Sequence, residues 1–207
     1  MPNRPPPSGV ILHPGWLSAS DCDELVERLS HHPRGWLTIV DEKTGEQRSD
    51  PARVTEKVAL GDLAPAVIDL VKKALIEVAE PGLGCRIDSF VLPNILRYSK
   101  GGMYRPHADS EVLDRQAGIW NKVVNRDVSL LIYLNDGFRG GNISFVRFNY
   151  SHHPRKGDLL IFPSDHRYAH FAEPVESGVR YSIVSWASGS GVRKLPAAEQ
   201  DEILPLR

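Results

Sequence analysis

Apolar residues follow two rhythms along this chain, helical in the first part and strand-like afterwards. Residues 1–9 are rich in proline and hold no apolar set to bury, so a disordered or extended arm is expected there. Cys22, Leu25, Val26 and Leu29 then fall on one helical face, led by Ser18-Ala-Ser-Asp21 at capping-box spacing. A second stripe, Val67, Leu70, Val71, Ala74, Leu75 and Val78, predicts a helix over residues 63–79 that Pro81-Gly82 stops. Between them, residues 35–57 break into short apolar pieces around a charged turn at 41–45, which suggests a hairpin or a mobile loop. Beyond Gly84 the pattern becomes β: residues 87–98, 128–134, 142–148, 158–162 and 180–186 read as strands separated by Gly, Pro, Asn and Asp. Helices come first and strands afterwards, without alternation. That order argues against a doubly wound parallel sheet and for a mostly antiparallel sandwich or jelly roll flanked by the early helices.

Composition narrows the picture. With 207 residues, 41% of them hydrophobic, the chain suffices for one sizeable core, so a single domain over residues 10–207 is expected, with helical support at about 18–80 and the β core at about 85–188. Its 25 basic and 26 acidic residues give a net charge of −1, which leaves no surplus to neutralise nucleic acid or an anionic bilayer. Two cysteines, Cys22 and Cys85, are too few for a disulfide framework. No leader-like apolar stretch opens the sequence and no run of about 18 apolar residues occurs, so a soluble cytoplasmic protein is expected. No apolar seam dictates an oligomeric state.

Candidate chemistry begins at His107-Ala-Asp109, after the glycine turn of Tyr98-Ser-Lys-Gly-Gly-Met-Tyr104. In extended backbone, residues two apart project to one face, so this imidazole and carboxylate can converge on one metal ion. A third ligand is offered farther on by His170, with His166 four residues earlier as its rival. Two imidazoles and one carboxylate make the facial triad of non-haem Fe(II) oxygenases, which leaves positions open for co-substrate and dioxygen. His31, His32, His152 and His153 read as solvated polar residues or caps. Gly140-Gly141 reads as a tight turn or bulge.

The blocks around these residues are Arg97-Tyr98, Gly101-Gly-Met-Tyr104-Arg-Pro-His107-Ala-Asp109, Arg126-Asp-Val-Ser-Leu-Leu-Ile-Tyr133-Leu-Asn135, Gly140-Gly141, Lys156-Gly-Asp158 and His170-Phe-Ala-Glu-Pro174 through Gly178-Val-Arg180. In this order and spacing they resemble the prolyl 4-hydroxylase branch of the Fe(II)- and 2-oxoglutarate-dependent oxygenases. The likeness covers residues 90–188, and 10–29 more loosely. It implies a double-stranded β-helix (jelly roll) with N-terminal helices packed on one sheet, and it makes His107, Asp109 and His170 the iron ligands. His170, not His166, stands at the family interval before Pro174 and Arg180. Arg180, ten residues after His170, matches the basic residue that pairs with the distal carboxylate of 2-oxoglutarate, a task suited to a planar guanidinium fork. Tyr98 and Tyr133 match tyrosines lining the co-substrate pocket, and Trp186 matches an aromatic on the final strand.

The resemblance further implies a dioxygenase that hydroxylates an unactivated C–H bond of an amino acid, a prolyl or peptidyl group or another small molecule. It would consume O2 and 2-oxoglutarate, release succinate and CO2, and use ascorbate as reductant. Halogenating relatives replace the carboxylate ligand with a small residue, and Asp109 is retained, which argues for hydroxylation. Collagen-type hydroxylases carry a separate peptide-binding domain for which these 207 residues leave no room. Residues 35–57 and 110–126 flank the expected mouth as irregular, charged segments, and are expected to form a lid with Trp36 and Trp120 as its apolar contacts. Two other classes compete: a non-catalytic, cupin-like metal- and ligand-binding protein, which has no need of Arg180, and a zinc hydrolase, for which no general base stands at motif spacing.

Overall fold

The computed structural model describes residues 4–40, 47–49, 52–196 and 202–207. The first helix, Ala19–Ser30, starts at the N-cap Ser18, whose Oγ accepts from the Asp21 N–H at 3.1 Å. The reciprocal half of a capping box is missing, because Asp21 accepts from the Ser18 hydroxyl instead, at 2.7 Å. The second helix runs Ala64–Ala74 and does not stop at Pro81-Gly82: a π-helical turn, Leu75–Ala79, leads into Glu80–Leu83, and Gly84, at φ +64°, ends the run. Pro81 occupies the first turn of that last segment, where its missing N–H costs little.

Two antiparallel sheets carry the rest. The larger, nine-stranded, runs Ile11–His13, Leu159–Pro163, Val128–Tyr133, Arg180–Gly189, Asn94–Tyr98, Glu56–Val58 and Arg34–Trp36, with Ile87–Val91 and Ile203–Pro205 added beside the far half of Arg180–Gly189. The smaller has the order Tyr150–His152, Ile143–Phe145, His170–Ala172, Met103–His107, Arg53–Val54. This is the double-stranded β-helix that the resemblance implied, with the helices on the outer face of the larger sheet.

Alternation along the central strands explains why they read as continuous apolar runs. Val128, Leu130 and Ile132, with Ile183 and Ala187, pack outward against Leu25, Leu29, Val67 and Val71 of the helices. Tyr133, with Leu160 and Phe162 of the next strand, packs inward against Ile143 and Phe145 of the smaller sheet. Each aliphatic side chain so buried contributes roughly 1.5–3 kcal/mol.

Several expectations need correction. The stretch 87–98 is two strands, Ile87–Val91 and Asn94–Tyr98, broken around Pro93, which has no N–H for a ladder. Both halves pair with Arg180–Gly189. Residues 110–126 are not irregular: Glu111–Asp114 pairs with Ile119–Lys122. That ribbon leaves Val112 and Ile119 exposed and buries neither face, so no alternation marks it in the sequence. Residues 35–57 hold a hairpin of Thr38–Val40 with Gln47–Ser49, its predicted turn at 41–45 lying outside the described residues. Residues 4–9 of the proline-rich arm are laid against the body of the protein: Arg4 donates to the Asn149 carbonyl at 3.4 Å, and the Tyr168 hydroxyl donates to the Ser8 carbonyl at 3.1 Å.

Candidate metal centre and co-substrate pocket

The smaller sheet sets His107 directly opposite His170, at the end of Met103–His107 and the start of His170–Ala172. The ring centroids are 4.5 Å apart. The register shifts between these strands, since His170 to Ala172 spans the same length of ladder as His107 back to Tyr104, a bulge of the kind that re-aims side chains beside a site. Asp109 lies in the bend just past the strand, and its carboxylate turns back to both rings: Oδ1 is 3.4 Å from His107 Nε2 and Oδ2 is 3.8 Å from His170 Nε2. Ligand atoms from the three residues all lie within 4.8 Å of one another.

Each imidazole is oriented by the carbonyl two residues before it, His107 Nδ1 by Arg105 at 2.9 Å and His170 Nδ1 by Tyr168 at 3.1 Å. A carbonyl only accepts, so Nδ1 carries the proton and Nε2 turns its lone pair to the shared centre. Burial pushes His170 down to about 4, against the pull of Asp109, so the ring is neutral at pH 7. Burial acts to raise Asp109, but His170, His107 and a 2.6 Å hydrogen bond from Ser129 outweigh it and hold the carboxylate well below its ordinary range. Ser129 Oγ also lies 2.7 Å from Ser164 Oγ, which therefore donates to it. Two imidazoles and an ionised carboxylate suit a divalent transition-metal ion.

The three residues open into a cavity of about 220 Å³ between the sheets. Arg180 enters it from the first position of its strand, 2% exposed. Its Nη1 donates to the Gly141 carbonyl at 2.6 Å, and the guanidinium lies 4.1 Å above the Tyr98 ring and 5.9 Å from that of Tyr133. No carboxylate pairs with it among the described residues. Gly140 and Gly141, at φ +68° and +64°, hold left-handed backbone where the strand Arg139–Gly140 ends, opposite a bulge at Glu176, and the Gly141 carbonyl leaves from there to meet Arg180. Burial pushes the Tyr133 phenol up, so it stays a donor.

The buried polar side-chain atoms without a hydrogen-bond partner among the described residues are Arg53 Nε, Tyr133 Oη, Arg180 Nε, Ser182 Oγ and Trp186 Nε1, and all five residues line this one cavity. Every one of these groups can donate. An orphaned buried donor costs about 1–3 kcal/mol. Five in one cavity therefore fit bound matter rich in acceptor oxygens, a dicarboxylate being one such molecule, next to a cation.

The structure thus brings His107, Asp109, His170, Arg180, Tyr98 and Tyr133 to one cavity. His166 goes elsewhere, its Nδ1 at 2.6 Å from Glu111 and its ring stacked on Trp120 at 5.0 Å. His152 is buried rather than solvated, 2.9 Å from Asp158, and His32 holds the Ala59 carbonyl. Trp36 is exposed and Trp120 half-exposed, and neither lines the cavity. Sequence reasoning passed over Ser129, Ser182 and Arg53. A signal existed for Ser129, the one serine in the apolar strand Val128–Tyr133, whereas Ser182 is one of three serines in Arg180–Gly189.

Residues 93–188 match the model of the 2OG-Fe(II) oxygenase superfamily. Among curated proteins, the chain is 28% identical over 185 residues to prolyl 4-hydroxylase subunit alpha-2 of Caenorhabditis elegans, covering 81% of this chain and 32% of that one. It is 30% identical over 102 residues to a PKHD-type hydroxylase of Stenotrophomonas maltophilia, covering 47% and 43%. The chain thus spans less than half the length of either relative. Among solved structures, a Trichoplax adhaerens prolyl hydroxylase in complex with a hypoxia inducible factor peptide fragment superposes with a TM-score of 0.66 at 21% identity, over 87% of this chain and 83% of that one, a likeness of fold. No helix among the described residues is long and apolar enough to cross a membrane. Motif order, the match over residues 93–188, the curated relatives and the fold all make this chain similar to the 2OG-Fe(II) oxygenases, prolyl 4-hydroxylases among them.

Proposed function

We propose that this chain is an Fe(II)- and 2-oxoglutarate-dependent dioxygenase that hydroxylates an unactivated C–H bond of an amino acid, a prolyl or peptidyl group, or another small molecule. The observation that carries the reading is one cavity holding both His107, Asp109 and His170, with their ligand atoms within 4.8 Å, and a buried guanidinium whose Nε has no partner. His107 and His170 would hold the iron through Nε2 and Asp109 through its carboxylate. When bound, the ferrous ion with 2-oxoglutarate and dioxygen supplies the oxidising power, the co-substrate leaving as succinate and CO2 while C–H becomes C–OH. Ascorbate, which keeps the iron ferrous, belongs to the same proposal.

The chain's own part is positioning and exclusion of water. Arg180, anchored by the Gly141 carbonyl, would pair with the distal carboxylate of 2-oxoglutarate, with the Tyr133 phenol and the Ser182 hydroxyl as further donors. Tyr98 under the guanidinium, Leu131 and Ile143 keep that end of the cavity dry, which strengthens each of these bonds. Ser129 and the two backbone carbonyls fix the ligands in their binding orientation.

Anaerobic addition of Fe(II) and 2-oxoglutarate tests the reading. Wild type should develop the weak visible absorption of the chelate, His107→Ala should not, and candidate substrates should raise succinate release. No band with wild type would overturn the proposal.

A further inference from the structure

The five orphaned donors are too widely spread for one small acid. Tyr133 and Ser182 face each other across their strand pair and Arg180 is two residues from Ser182, so these three form one group. Trp186 lies four residues farther along the same inward face, about 13 Å from Ser182 at a strand's rise. Arg53 is on the opposite sheet. In that sheet the order is Ile143–Phe145, His170–Ala172, Met103–His107, Arg53–Val54, so the two histidine-bearing strands separate Arg53 from the strand that follows Gly141, Arg180's anchor. Three strand spacings make that separation about 14 Å. The proposed metal centre therefore lies between the Arg180 group and Arg53.

Charge makes the same division. Arg180 answers one carboxylate of 2-oxoglutarate, and the triad carboxylate and the co-substrate's other end answer the ferrous ion. Of the cavity's two other cations, Arg126 lies 3.9 Å over the Trp186 ring and has a further partner, whereas Arg53 faces the cavity with its buried Nε unpartnered. Its guanidinium is held 4.7 Å above the Tyr104 ring, and Tyr104 is stacked on His107 at 3.7 Å. A cation fixed by a ring that itself rests on a metal ligand is preorganised for an anion close to that ligand.

We propose that the molecule hydroxylated by this protein carries a carboxylate, gripped by Arg53 on the side of the histidine pair remote from Arg180, with the Trp186 indole N–H as a further donor. The inference rests on the function proposed above and names its substrate class. The carboxylate has two sources, a free amino acid or a carboxylate in a peptide.

The test uses protein loaded with Fe(II), 2-oxoglutarate and O2, and measures succinate release with four panels: free L-amino acids, the same compounds as carboxamides, peptides with free carboxylates, and their amides. At least one acid should stimulate release, its amide losing about tenfold or more in kcat/KM, as a charged hydrogen bond implies. Which acid panel responds assigns the source. Arg53→Gln should raise KM for that acid about tenfold or more while KM for 2-oxoglutarate moves less than twofold, and Arg53→Lys should recover part of the loss. Chelate absorption from each variant confirms that it folds. Amides as effective as acids, or no acid better than its amide in any panel, would overturn the proposal while a wild-type chelate band leaves the parent function standing. Absence of that band would instead overturn both.

Discussion

Ser129→Ala removes a hydroxyl that nothing else in the site can replace. Ser129 is fully buried, donates to Asp109 Oδ2 at 2.6 Å and lies 2.7 Å from Ser164 Oγ. A hydrogen bond to a charged group contributes about 1.5–3 kcal/mol, and loss of an outer partner of a metal ligand typically costs about 10–100-fold in metal affinity. The two figures agree, since about 1.4 kcal/mol is tenfold. The variant should therefore bind Fe(II), or Co(II) as a spectroscopic substitute, about 10–100-fold more weakly. Ser185→Ala is the matched control, a buried hydroxyl in the same sheet that donates to the Val91 carbonyl at 2.6 Å. Ser185→Ala should lose about 1 kcal/mol of stability in denaturant unfolding and Ser129→Ala about 1.5–3 kcal/mol, but only Ser129→Ala should bind metal more weakly. Wild-type affinity in Ser129→Ala, or equal weakening in both, would refute the claim that this hydroxyl orients the carboxylate.

Arg180→Gln should raise KM for 2-oxoglutarate about 10–100-fold by the same arithmetic, while equilibrium dialysis finds Fe(II) binding within about twofold of wild type. Gly140→Ala would place a Cβ 2.4 Å from the Pro174 carbonyl at φ +68°, so the backbone there must shift. We expect a loss of about 2 kcal/mol, read as a melting temperature lower by about 4–8 °C, and a raised KM for 2-oxoglutarate because the Gly141 anchor of Arg180 moves with it. Glu80 accepts from Arg207 at 2.6 and 3.1 Å and from the Ile87 N–H at 2.9 Å; Arg207, ahead of the opposing effect of burial, holds it down at about 2. A folded-state value below the ordinary 4.5 means stability fully present above about pH 4.5 and lost as pH falls towards 2. Glu80→Gln should therefore melt below wild type at pH 7, and the gap should close between pH 4.5 and 2; a gap independent of pH would refute the ion pair's part.

The sequence by itself determined the two helices, the central strands and the local half of the site, because those depend on neighbours in the chain. A helical stripe of Val67, Val71 and Ala74 buries one face wherever it docks. His107 and Asp109 are close because only one residue separates them, although Asp109 reaches the site from the bend past the strand and not from extended chain. Legibility failed wherever a strand was too short or too exposed to show a period: Met103–His107, His170–Ala172 and the ribbon Glu111–Asp114 with Ile119–Lys122. Spacing alone left His166 and His170 as rivals, and the resemblance separated them. The tertiary structure gives the physical reason, since strand register seats His170 opposite His107 while a carboxylate from the ribbon holds His166. Which polar atoms go unsatisfied was likewise beyond the sequence. Nothing in the sequence singled out Arg53, and Trp186 stood out only as an aromatic on the final strand; folding buried Arg53 Nε and Trp186 Nε1 and left both residues facing one cavity. Propensity and periodicity are properties of adjacent residues, whereas burial, register and an unmet hydrogen bond exist only between residues that the fold has brought together.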